Sequence, residues 1–246
     1  MASVRARNAL LTEVPVPGQN YAWLADPIRL AAEVDAEIAA LEKGKNPYRG
    51  ITGDRWRLVD VEGDSVPFRI FVPEGDGKEP RPLLIALHGA GADENAFFEG
   101  YGAGLLKEIA AAKGFILVAP RTTSVARKPA SFPTLLATIE ADHAIDPARI
   151  YVLGHSLGGM ATGLIVRRHG DRIAAACQMA GGFGRTGEKG PPILFVHAGR
   201  DRIVRTGAPE ESALVTVRSY PDEAHTLVVP RALPSAIDWL LAHPGK

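Results

Sequence analysis

Between residues 83 and 196 the chain repeats one arrangement: a short run of apolar residues, then a helical stretch, then another apolar run. The runs are Leu83–Leu87, Phe115–Ala119, Ile150–Leu153, Ala174–Met179 and Ile193–Val196. Helical spacing occupies Glu94–Ala112, Phe132–Ala144 and Leu157–His169 between the first four. A strand that is apolar on both sides, with no polar alternation, has both faces covered. Such strands alternating with helices predict a mostly parallel sheet between two helical layers. A hairpin of Trp56–Val61 and Phe68–Val72 around Glu62-Gly63-Asp64 precedes them, and a strand at Leu214–Tyr220 with a helix at Arg231–Ala242 follows. Eight strands are expected, the first two suited to antiparallel pairing and the rest to parallel pairing.

The remaining segments divide the chain in two. Residues 1–50 read as an N-terminal arm, irregular to residue 23, and a helix from Asp26-Pro27 to Lys43 that packs on the domain. Asp26 is its N-cap and Gly44 its end. Residues 51–246 read as one α/β domain, a reasonable size for a chain of 246 residues.

Lysine plus arginine balances aspartate plus glutamate at 28 each, so nothing draws the chain to nucleic acid or an anionic surface. No apolar stretch is long enough to span a bilayer, and residues 1–20 lack an apolar signal core. A soluble protein is expected, cytoplasmic unless a signal was trimmed. Its single cysteine, Cys177, lies in an apolar run and reads as a buried structural thiol.

Four loops carry residues suited to chemistry. Gly154-His155-Ser156-Leu157-Gly158-Gly159 joins the run Ile150–Leu153 to the helix Leu157–His169. A serine hydroxyl becomes a useful nucleophile when it is exposed on a sharp strand-to-helix turn beside a base. Glycines two residues either side of Ser156 leave room for that turn. A phosphate-binding loop would carry Gly-Lys-Ser/Thr instead, which is absent. Upstream, Leu83–Leu87 runs into His88-Gly89-Ala90-Gly91. The backbone amides of Ala90 and Leu157 are candidates to hold an oxyanion, with His88 a structural residue of that loop.

Asp201 follows the strand Ile193–Val196, and His225 follows the last strand; active sites of parallel sheets collect at such strand ends. The order Ser156, Asp201, His225 is the serine–acid–histidine order of one hydrolase architecture. His143, His155, His169, His197 and His243 are poorer bases by position. Asp222 and Glu223 are rival acids, but too near His225 in sequence to reach its far nitrogen easily. A zinc site at His197, Asp201 and His225 lacks a paired-histidine motif.

Residues 56–243 resemble the α/β-hydrolase superfamily. The stretches PLLIALHGAGADENAFF, IDPARIYVLGHSLGGMA and PPILFVHAGRDRIV resemble esterases related to feruloyl esterases, polyhydroxybutyrate depolymerases and the phospholipase/carboxylesterase group. The resemblance implies an α/β-hydrolase fold without a large lid. It also implies a cofactor-free and metal-free serine carboxylesterase working through an acyl-enzyme on aryl, feruloyl or short-chain esters, small or polymeric. A prolyl-oligopeptidase-like peptidase, or a non-catalytic binding protein on the same scaffold, are the alternatives. The first lacks residues for a recognition domain, and the second should have lost one of the three residues. Arg205–Ala213, interrupted by Pro209, leaves little room for the family's helix between acid and base. Gly181–Pro191 is too short for an inserted lid, and Arg121–Pro133 is expected to be an irregular loop walling the acyl or alcohol site.

Overall fold

The computed structural model describes Val4 and residues 27–75, 77–182, 189–205 and 207–245. The irregular arm expected over residues 1–23, apart from Val4, and the N-cap Asp26 lie outside them. After α1 (Pro27–Glu42) come β1 (Gly53–Val61), β2 (Asp64–Val72), β3 (Arg81–Leu87), α2 (Leu105–Lys113) and β4 (Ile116–Pro120). Then follow α3 (Thr122–Arg127), α4 (Ser131–Asp142), β5 (Ile145–His155), α5 (Leu157–His169), β6 (Ala175–Met179), β7 (Ile193–Ala198), β8 (Val215–Tyr220) and α6 (Val228–Leu241).

The strands form one eight-stranded sheet in the order β1-β2-β4-β3-β5-β6-β7-β8. Among the named strands, the β1–β2 and β2–β4 pairings are antiparallel and the others parallel. The first hairpin turns in two residues: Val61 faces Asp64, while Glu62 and Gly63 take positive φ of 53° and 82°. Both central residues left-handed is the geometry that matches strand twist, so Asp64 already belongs to β2.

The continuous apolar runs serve two cores at once. In β3, Leu84 and Ala86 join one cluster with Phe97, Leu106, Cys177 and the α6 residues Val229, Leu233 and Ile237. Leu83, Ile85 and Leu87 join the other with Phe132, Leu136 and Ile139 of α4 and Ile165 of α5. Cys177 is fully buried, and burial pushes its thiol pKa up. α1 is joined to the start of β1 by an Arg29 bond to the Asp54 carbonyl and an Arg55–Glu33 ion pair at 3.4 Å.

Two expected segments differ. The helix expected over Glu94–Ala112 is broken into a π-helical turn at Ala96–Gly100 and α2. Gly102, Ala103 and Gly104 all take positive φ, which no right-handed helix admits. Arg121–Pro133 is not an irregular loop: α3 fills its first half and α4 begins at Ser131. The start of α3 is pinned, because the Thr122 amide donates to Nε2 of His88 at 2.9 Å and its hydroxyl to the His88 carbonyl at 3.0 Å.

No helix forms in residues 202–205 or 207–214. Ser212 bridges back to Val215, and the Val217 amide donates to the Glu211 carboxylate at 3.0 Å. Among the described residues no helix is long and apolar enough to cross a membrane.

Candidate active site

Because β3, β5, β7 and β8 run parallel, the loops that leave them emerge on one edge of the sheet. Those loops carry His88–Gly91, Ser156, Asp201 and His225.

Ser156 sits between β5 and α5 with φ 55° and ψ −116°. A non-glycine residue held there stores strain of order 1–3 kcal/mol, which the surroundings must impose. The Ser156 amide donates to the Met179 carbonyl of β6 at 2.9 Å, and its carbonyl accepts from the Met160 amide at 3.2 Å. Crossing of the turn over β3 is tight. A Cβ on Gly158 would overlap the Leu87 carbonyl, and one on Gly154 would overlap the Gly158 carbonyl. The sequence folds into this turn because those two positions carry no side chain.

The loop after β3 lies against Ser156. A Cβ built on Gly89 would stand 3.3 Å from Cβ of Ser156 and 3.0 Å from Nδ1 of His155. His88 is buried, its Nε2 accepting from Thr122 and its Nδ1 donating to the Gly89 carbonyl at 2.8 Å. Burial pushes its pKa down, so it is a neutral brace for the loop. Glu94, also buried, accepts from the Trp56 indole at 2.9 Å and pairs with Arg121, fixing the far end. Among the described residues no protein acceptor engages the amides of Ala90 or Leu157. Ala90 is exposed and Leu157 is the first residue of α5.

Asp201 and His225 meet directly. Nδ1–H of His225 donates to Oδ2 of Asp201 at 2.6 Å, with 9% and 5% of the two side chains exposed. The other carboxylate oxygen accepts from the amides of Ile203 and Val204 at 2.8 and 2.9 Å. Burial raises the Asp201 pKa, but the His225 bond and these two amides outweigh it and the net shift is downward. The carboxylate therefore stays ionised and fixes the imidazole with its proton on Nδ1, leaving Nε2 free to accept. Of the rival acids, Asp222 pairs with Arg200 at 2.7 Å on the surface.

His155, adjacent to Ser156, reaches the His225 loop: Nε2–H of His155 donates to the His225 carbonyl at 3.0 Å, and the two rings lie 4.7 Å apart. On its other side the Tyr101 hydroxyl is 2.8 Å from Nδ1 of His155. Tyr101 escapes a sequence reading because it lies in what resembles a continuous helix. The signal that could have found it is the pair of glycines around it, Gly100 and Gly102.

No family model matches the chain. Esterase EstD of Thermotoga maritima is 29% identical over 126 residues, covering 44% of this chain. That match spans 29% of the relative's length. Among solved structures, a thermostable esterase superposes with a TM-score of 0.63 at 21% identity, over 78% of this chain and 63% of the other. The Staphylococcus aureus fluorophosphonate-binding serine hydrolase F gives 0.63 at 14% identity, over 78% and 99%. A feruloyl esterase module from Clostridium thermocellum complexed with sinapinate gives 0.61 at 13%, over 77% and 88%. The fold is that of the α/β-hydrolases, without a large lid among the described residues.

Proposed function

We propose that this chain is a serine carboxylesterase with Ser156 as nucleophile, His225 as base and Asp201 as the acid that orients it. The observation that carries the reading is the buried Asp201–His225 pair, tethered through His155 to the strand end where Ser156 stands in a strained turn. A similar fold in solved esterases, and the sequence match to a curated esterase, support it.

Ser156 Oγ attacks the ester carbonyl while Nε2 of His225 takes its proton. The imidazolium that forms is stabilised by the Asp201 carboxylate. The developing oxyanion is held by the amides of Leu157 and Ala90, which have no other partner among the described residues. His225 then gives its proton to the leaving alcohol, and water repeats the sequence to release the acid. In each step His225 carries the proton between Ser156 or water and the departing group, and ends as it began.

The substrate class we infer is an ester with an apolar acyl or aryl part. Five large hydrophobic side chains are exposed among the described residues. Three of them, Met160, Ile203 and Leu227, follow Ser156, Asp201 and His225 by four, two and two positions. Exposed apolar groups clustered by position around a reactive centre mark a binding surface.

A fluorophosphonate probe tests the nucleophile. It is expected to label Ser156 alone, and Ser156→Ala is expected to lower p-nitrophenyl acetate hydrolysis by about 10⁴-fold or more. Labelling elsewhere, or an active Ser156→Ala variant, refutes the reading.

A further inference from the structure

One hydrogen-bonded chain runs from the loop after β3 to the Asp201–His225 pair, and its polarity can be fixed from one end. The His225 carbonyl can only accept, so the proton of His155 is on Nε2. Nδ1 of His155 is then bare and must accept, so the Tyr101 hydroxyl donates across the 2.8 Å separation. The Tyr101 oxygen in turn accepts from the Gly89 amide at 3.4 Å. Tyr101, His155 and His225 are 9%, 3% and 8% exposed. Burial, helped by the charge His225 can carry, holds the His155 pKa down at about 4. The ring is therefore neutral at ordinary pH, with one donor and one acceptor. Tyr101 stacks edge-on against His155 at 5.2 Å and Phe97 against Tyr101 at 4.7 Å, so the rings have little room to turn.

We propose that Tyr101 and His155 are positioning residues that hold the His225 backbone and the Gly89-Ala90 backbone in register through this single chain. His225 stands in residues 221–227, which form neither helix nor strand. Its side chain is held by Asp201 and its carbonyl by His155, and two anchors on one residue fix the direction of Nε2. The opposite end of the chain grips the amide of Gly89, next to one of the two amides assigned to the oxyanion. Base and anion site are thereby set by one structure. Apolar rings would fill the same space without burying three polar groups, which are tolerable only when each has a partner.

The proposal rests on the esterase reading, and the experiment separates the two. Full-length wild type, Ser156→Ala, Tyr101→Phe, His155→Phe, His155→Gln and the Tyr101→Phe/His155→Phe double variant are compared on p-nitrophenyl acetate, with melting temperatures. Tyr101→Phe removes one oxygen and keeps the ring; kcat is expected to fall about tenfold with KM changed less than about twofold. His155→Phe is expected to lose about a hundredfold in kcat. His155→Gln, whose amide can still donate to the His225 carbonyl, recovers most of that loss. The double variant is no slower than His155→Phe, because the chain is already cut. Wild-type kcat in Tyr101→Phe, or His155→Gln as slow as His155→Phe in folded protein, overturns the network and leaves the esterase reading standing. A wild type that neither hydrolyses the ester nor takes the fluorophosphonate overturns the esterase reading, and the network with it.

Discussion

Nδ1 of His225 lies 2.6 Å from Oδ2 of Asp201, and the second oxygen of the same carboxylate caps two backbone amides of its own loop. One side chain thus orients the imidazole and shapes the turn that presents it. The two duties separate in Asp201→Asn. The amide oxygen can still accept from Ile203 and Val204, but its nitrogen cannot accept from His225. The turn is expected to persist while the imidazole loses its defined tautomer. A fall in kcat of about 10³-fold, smaller than for Ser156→Ala, is expected in steady-state assays. Unchanged kcat would remove Asp201 from the site.

Stability should report the buried His155. Its native pKa of about 4 lies below the ordinary 6.5. Between those values an unfolded chain takes up a proton that the native ring refuses. Its contribution is therefore intact above about pH 6.5, declines as the pH drops towards 4 and levels off below. The decline amounts to roughly 3 kcal/mol at most. Asp201, its pKa lowered in the native state, adds a further loss only at more acid pH. Urea unfolding between pH 7 and 4 should show this slope in the wild type and a shallower one in His155→Gln. Equal slopes would contradict the assignment of a neutral buried ring.

The turn at Ser156 depends on space as much as on chemistry. A methyl group at Gly158 meets the backbone of Leu87, which cannot move without disturbing the centre of the sheet. Gly158→Ala is expected to cost about 3 kcal/mol or to prevent soluble expression. Gly207→Ala, where a Cβ meets nothing within 4 Å, serves as the control. A Gly158→Ala protein melting like the wild type would show that the crossing is looser than described.

On the proposed reading, the exposed apolar residues near Asp201 and His225 meet the acyl chain. Each methylene buried in binding contributes about 0.8 kcal/mol. Leu227→Asn and Ile203→Asn are expected to raise KM for p-nitrophenyl butyrate more than for the acetate, with melting temperature little changed because both side chains are solvent-facing. Equal effects on the two esters would mean that these residues do not meet the acyl chain.

Much of this arrangement is legible in the sequence, for identifiable reasons. Strands buried on both faces leave unbroken apolar runs, so β3 to β7 stand out. A turn that excludes Cβ atoms leaves glycines at fixed offsets, so the bend at Ser156 stands out too. Asp201 and His225 are legible as partners because each directly follows a strand of one parallel sheet. What stays hidden depends on direction rather than position. The break at Gly102–Gly104 looks like helix in an alanine- and leucine-rich context. The start of α3 at Thr122 is pinned by a nitrogen that His88 offers from the loop after β3, which the local sequence does not show. The use of His155 depends on which way a strained turn rotates its neighbour, and spacing does not encode that.

The Glu211 carboxylate on the Val217 amide has a consequence at the outer margin of the sheet. Among the described residues β8 has no strand beyond it, and a bare row of amides there would invite another polypeptide to join by strand addition. The carboxylate occupies one of those donors and sets a negative charge where an incoming backbone would dock. Together with the Ser212 bridge to Val215, a connection that holds no helix in its described residues thus guards its own border.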